Sequence, residues 1–238
     1  NRPGRFETSL EEASMDAWIK YYRQDENSIN NQISYYDKGE IVSMMLDVTI
    51  RTASNGSKSL DDVLRYLYDE FYKKNRNFTP SDFQKASEMM AGRSLQDFFD
   101  KYVAGEAEID YAGILSGIGL KVEVTQPGRN RAYIGADTAE EGGRLNIRTV
   151  PAGTPAYDQG LNTGDQIVAI DGYRASSQFL QTYLGEKKPG DTVRLTLFRH
   201  DRIRDVNFVL GANQRQEYSI LSILKNFFRL LTPRDFFL

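Results

Sequence analysis

The hydrophobic period changes once along this chain, and that change limits the folds open to it. Up to about residue 110, apolar residues recur at helical spacing. From about 113 to 211 they fall in short runs rich in β-branched and aromatic residues, broken by Gly, Pro and Asp. The switch falls in "GEAEIDYAGILSGIG", Gly105 to Gly119, which reads as a hinge. A chain of 238 residues patterned this way suits two domains of ordinary size. The expected fold class is α+β and multidomain. Residues 1–110 are helical, 111–211 form a small β-barrel-like sheet with one or two helices, and 212–238 form a helical tail.

Four helix starts in the first half carry Ser or Thr with an acid three residues on. They are Thr8 with Glu11, Ser59 with Asp62, Thr79 with Asp82, and Ser94 with Asp97. Each is a capping-box pattern, in which the two side chains satisfy orphan N–H groups and put negative charge at the positive helix end. Pro80 at the first helical position strengthens the third. Leu60, Val63, Leu64, Leu67 and Phe71 form one apolar stripe, and Leu95, Phe98, Phe99, Tyr102 and Val103 another. The segment from Tyr36 to Ala53 is apolar on most sides, which predicts a central buried helix stopped by Gly56 in "SNGSK".

In the second half the expected strands are "LKVEV", "LNIRTV", "QIVAI", "TVRLTLF" and "RDVNFVL". "SSQFLQTYL" reads as a helix among them. The tail "YSILSILKNFFRLLTPRDFFL" has a broad helical stripe ended by Pro233, and reads as a helix packed on one of the two halves.

Composition narrows the chemistry. Cysteine is absent, so neither disulfides nor thiolate metal ligands are available. The single histidine, His200, lies in "LFRHDRIRD" between two strand-like runs, where a hairpin turn belongs. A metal site of the His-Glu-x-x-His kind needs two histidines one helical turn apart, so this chain is expected to hold no metal itself. The net charge of −3 and the lack of a basic run argue against nucleic acid. No apolar run of 18 residues occurs, so no membrane span is expected. The chain opens on "NRPGRFETSL" with neither initiator methionine nor signal peptide, and reads as a fragment or processed piece. Cytoplasm and periplasm both remain open.

The stretch Val150 to Arg199 strongly resembles a PDZ domain of the bacterial protease-associated type. The parts that carry the resemblance are "GTPAYDQGL", "GDQIVAIDG", the helix, and "KPGDTVRLTLFR". Pro155 and Ala156 open a short helix, Gly160 and Gly164 provide turns, and Asp171-Gly172 makes a hairpin turn. Such domains add an extended peptide to a sheet edge beside a helix. The resemblance assigns "AYIGA" to the loop that takes a peptide's terminal carboxylate, with Tyr133, Ile134, Gly135 and Ala136 filling it. The groove helix would be Ser177 to Leu184. Peptides or protein C-termini are the implied partners, and the chain's own "DFFL" ending is of the accepted kind.

Residues 3 to 210 as a whole resemble the bacterial glycyl aminopeptidase family. These are zinc peptidases of the gluzincin group, with a thermolysin-like catalytic domain followed by a PDZ domain. The sharpest motif is "SYYDKG", since related aminopeptidases carry Tyr-x-Lys-Gly there, and Tyr36, Asp37, Lys38 and Gly39 fill it. The resemblance implies that Tyr36 donates a hydrogen bond to the oxyanion of the tetrahedral intermediate. A phenol is protonated at neutral pH and can donate, its reference pKa being about 10. Tyr35 is then a packing residue. The family's His-Glu-x-x-His helix and third zinc ligand are not in this chain. Zinc is therefore expected in the intact protein, held by an upstream partner segment, and this chain is expected to be inactive alone. A second reading is a non-catalytic peptide-binding scaffold, helical domain plus PDZ, and the sequence upstream of Asn1 separates the two.

Overall fold

The computed structural model describes residues 2–222. A short 3-10 turn, Pro3–Phe6, precedes α1 (Leu10–Met15), α2 (Ser28–Asn31), α3 (Tyr35–Ala53), α4 (Leu60–Glu70), a second 3-10 turn (Tyr72–Lys74), α5 (Pro80–Ala91), α6 (Gln96–Tyr102) and α7 (Tyr111–Ser116). Next come β1 (Leu120–Thr125), β2 (Ala132–Tyr133), β3 (Asp137–Glu141), β4 (Arg144–Thr149), α8 (Pro155–Asp158), β5 (Gln166–Ile170) and β6 (Tyr173–Arg174). Then follow α9 (Ser177–Glu186), β7 (Thr192–Arg199), β8 (Arg202–Val209), β9 (Gly211–Ala212) and β10 (Glu217–Ser222). A helical segment followed by a sheet with helices is thus what the chain forms. It divides into two compact units, neither of them continuous in sequence. Among the described residues, one gathers 2–8, 16–33 and 125–217, and the other 9–15, 34–124 and 218–222.

The helical unit is built around α3. Val42, Met45, Leu46 and Ile50 are buried on it, against Val63, Leu67 and Phe71 of the α4 segment, Ala86 and Ala91 of α5, and Phe98. Each fully buried Leu, Ile or Met contributes about 1.5–3 kcal/mol over exposure, so this face fixes the helix more than propensity does. Ser34 caps α3 by accepting from the Asp37 N–H at 3.1 Å, and Asn55 and Gly56 end it in the left-handed region. The capping boxes at Ser59–Asp62 and Thr79–Asp82 are both formed.

Three expectations for this unit are corrected. At α1 the cap is Ser9, whose Oγ accepts from the Glu12 N–H at 3.1 Å, while Thr8 donates to the Asn31 carbonyl. At α6 no box forms with Ser94. Glu88, one turn before the end of α5, accepts from both the Ser94 hydroxyl and the Leu95 N–H and does the capping from outside. Leu64 is exposed rather than part of the buried α4 stripe, because it falls one position round the helix from Val63.

β1, the "LKVEV" run, is not part of the main sheet. It pairs with β10 in a two-stranded ribbon. Glu217–Ser222 is therefore strand where the sequence suggested helix, and its residues are exposed. The remainder of the expected tail helix and the "DFFL" ending lie outside the described residues.

The other unit carries a six-stranded sheet of order β3-β4-β5-β7-β8, with β6 also paired to β5, and a separate short pair of β2 with β9. Alternation builds its core on β4 and β7, and a register shift in β5 turns both Ile167 and Ile170 inward. Val193, Leu195 and Leu197 of β7 point inward beside Ile167 and Ile170 of β5, Leu145 and Ile147 of β4, and Phe208 of β8. The turn residues His200 and Asp201 both have positive φ, as a two-residue hairpin between twisted strands requires, and Asp171-Gly172 does the same between β5 and β6. The buried Asp165 carboxylate is held by the Arg199 guanidinium through two bonds of 2.6 Å. β3 is the last strand of the order, so one of its edges is unpaired among the described residues.

Candidate functional site

Tyr36 occupies the first turn of α3, where the helix opens toward solvent. It is 57% exposed, and its ring lies 4.2 Å from that of Tyr35, tilted by 32°. The pair therefore packs together, with Tyr35 the more covered of the two. Lys38 of the same motif behaves differently. Its residue is half-buried, its Nζ is buried, and no hydrogen-bond partner reaches that Nζ among the described residues. Burial pulls the Lys38 pKa below the usual lysine value, and the Glu106 carboxylate opposes that shift without cancelling it. At Gly39 a Cβ would sit 3.9 Å from Leu10 Cδ1, an ordinary contact distance.

The "AYIGA" loop is divided in role. Ala132 and Tyr133 form β2 and pair with Ala212 and Gly211. Ile134 and Ala136 are buried in the sheet unit's core. Gly135 has φ of +84°, and a Cβ there would stand 2.6 Å from Thr154 Cβ and 2.8 Å from Pro155 Cδ. Only glycine fits that close approach. The Thr154 hydroxyl lies 2.7 Å from the Gly135 carbonyl. In a trans peptide the N–H points opposite the C=O. Fixing the Gly135 carbonyl toward Thr154 therefore turns the Ala136 N–H the other way. Burial of Tyr133, aided by the nearby Asp137 charge, raises its pKa, so its phenol stays neutral.

The loop runs directly into β3, and α9 contacts both β2 and β3. Ser176 caps α9 by accepting from the Phe179 N–H at 3.1 Å, and the Ser177 N–H donates to the Glu140 carboxylate at 2.8 Å. The start of α9 is thus tied to the far end of β3. The structure therefore brings together the loop, the edge and the helix that the sequence singled out. Sequence reasoning did not single out Thr154 or Glu140, although Thr154 stood within the quoted "GTPAYDQGL". Its role depends on Gly135, 19 residues away. Nor did it single out Arg144 and Arg174, described below.

The fold defines a class: a helical segment followed by a PDZ-like sheet with packed helices. Comparison with known proteins gives its likenesses. Residues 1–42 match the model of the M61 glycyl aminopeptidases, and residues 132–210 match that of the PDZ domain. A crystal structure of an aminopeptidase N family protein from Idiomarina loihiensis is similar, at 26% identity and a TM-score of 0.83. That match covers 97% of this chain and 41% of the other, so the chain spans less than half of that structure's length. The serine endoprotease from Yersinia pestis matches at 26% identity and a TM-score of 0.32, covering 35% of this chain and 30% of that one. No curated protein matches the chain.

Proposed function

We propose that the chain is part of a zinc-dependent aminopeptidase with a thermolysin-like catalytic domain, in which Tyr36 donates a hydrogen bond to the reaction's oxyanion, and that the PDZ domain binds peptide C-termini. The observation that carries the first part is the position of Tyr36. It fills a Tyr-x-Lys-Gly motif inside the stretch that matches the glycyl aminopeptidase model, on an exposed first helical turn where its hydroxyl can meet substrate. α3 anchors that turn through its buried face, which is the rigidity an oxyanion donor needs.

Among the described residues no three His, Cys, Asp or Glu side chains gather to hold a metal ion. These residues do not fit a zinc site. Zinc in the intact protein rests on the resemblance alone.

Steady-state kinetics of the full-length protein test this reading. Tyr36→Phe should lower kcat by about 100-fold or more, the usual loss when one oxyanion donor is removed. Melting temperature and metal content should be unchanged, and Tyr35→Phe should cost far less. Equal, small effects from both would remove Tyr36 from the chemistry and favour a non-catalytic peptide-binding scaffold.

A further inference from the structure

We propose that the PDZ groove selects peptides with an acidic residue about four or five places before the free C-terminus, and that Arg174 and Arg144 read that residue. The inference rests on the reading that this groove binds C-termini.

Direction comes first. If the peptide carboxylate sits at the loop of residues 133–136, it lies just before Asp137. The peptide's upstream residues then run along β3 from Asp137 to Glu141, antiparallel to it. Strand residues pair one to one, at about 3.3 Å per residue. The five residues of β3 therefore carry the peptide to the Gly142-Gly143 turn at about its fourth or fifth residue from the end.

Two arginines stand at that turn. A depression of about 510 Å³ opens there, lined among others by Gly142, Gly143, Arg144, Gln166, Gly172 and Arg174. β6 puts Arg174 opposite Ala169 of β5, and β4 puts Leu145, next to Arg144, opposite Ile167. Both arginines thus flank one stretch of β5. Gly142 and Gly143 both have positive φ, and a Cβ on Gly143 would stand 3.5 Å from Arg174 Nη2. The turn is low enough for the guanidinium to lie across it.

The nearby carboxylates are already committed to other partners. Glu140 accepts from the Ser177 N–H, and Glu141 pairs with Arg148. Among the described residues, neither Arg144 nor Arg174 is in an ion pair with a carboxylate, and Arg174 reaches only the Gly143 carbonyl, at 3.5 Å. Both are exposed. A guanidinium fork binds a carboxylate in two parallel bonds, which suits Asp or Glu on the incoming strand.

Fluorescence polarisation with the whole chain tests this. The probes are labelled eight-residue peptides with apolar C-termini. One carries Glu at the fourth and fifth positions from the end, and one carries Gln there. At low salt the Glu peptide should bind about three- to tenfold more tightly, the range two exposed ion pairs supply. The gap should close at high salt. It should also disappear in Arg144→Gln/Arg174→Gln, and invert for a Lys-bearing peptide in Arg174→Glu. Equal binding of Glu and Gln peptides, with C-terminal amidation still weakening both, would overturn the inference and leave the groove reading intact. Equal binding of free and amidated peptides would overturn both.

Discussion

The carboxamide of Asn30 spans two backbone groups 120 and 122 residues further along the chain. Its Nδ2 donates to the Val150 carbonyl at 3.0 Å, and its Oδ1 accepts from the Ala152 N–H at 2.7 Å. The second Nδ2 proton is taken by Asn27 Oδ1 at 2.9 Å, so both amide protons are used. Between the two clamped groups lies Pro151, whose carbonyl is 2.7 Å from the Thr154 hydroxyl. That hydroxyl also reaches the Gly135 carbonyl. A residue near the start of the chain thereby supports the loop assigned to the peptide carboxylate.

Removing this clamp should be costly. Asn30→Ala strands a carbonyl and an N–H at a partly buried site, at about 1–3 kcal/mol. Urea unfolding should show the loss. Amide exchange at Ala152 should accelerate, while exchange within α4 of the other unit stays as it was.

Gly135 and Gly153 make a matched pair, since both have positive φ but only Gly135 is crowded. Gly153→Ala should cost about 1–2 kcal/mol for the left-handed conformation alone. Gly135→Ala should cost more, by the roughly 1–3 kcal/mol of overpacking against Thr154 and Pro155. Comparable urea midpoints for the two variants would show that the loop yields more easily than its contacts indicate.

Acid should weaken the sheet unit partly through Asp171. Hydrogen bonds from the Tyr183 hydroxyl and the Arg194 N–H hold its carboxyl below the usual carboxylate range. Its folded pKa is thus below its unfolded one, about 3.9 in a free chain. The unfolded state binds the proton first, so the contribution of Asp171 is present above that value and is lost as pH falls through the folded pKa. Asp171→Asn should be less stable at pH 7, and its melting temperature should fall less between pH 6 and pH 3. Parallel curves for variant and wild type would remove Asp171 from the acid response.

Lys38 gives the opposite kind of test. Its pKa is lowered by burial, so ionising it costs the folded state free energy that a neutral side chain would not. Lys38→Met should stabilise this chain by about 1 kcal/mol, the low end for a buried group without a partner, because the Glu106 charge offsets part of the cost. Thermal melting of the two chains decides it, and a lowered melting temperature would show that the ammonium is satisfied after all.

What the sequence determined by itself is what depends on neighbours in sequence. Helix periods, the capping boxes at Ser59 and Thr79, the end of α3 at Gly56, and the hairpin turns at Asp171-Gly172 and at His200 are set by residues within a few positions. Only the tertiary structure decided which long-range partner each segment takes. Ser94 lost its cap to Glu88, and Thr8 turned to Asn31. "LKVEV" paired with β10 outside the main sheet, and residues 217–222 became its second strand despite their helical stripe. An isolated two-stranded ribbon is marginal, so that pairing depends on packing that periodicity does not encode. The first 33 residues are likewise split between two units by contacts such as that of Asn30 with Val150, made across 120 residues. Such contacts leave no spacing in the sequence for periodicity to reveal.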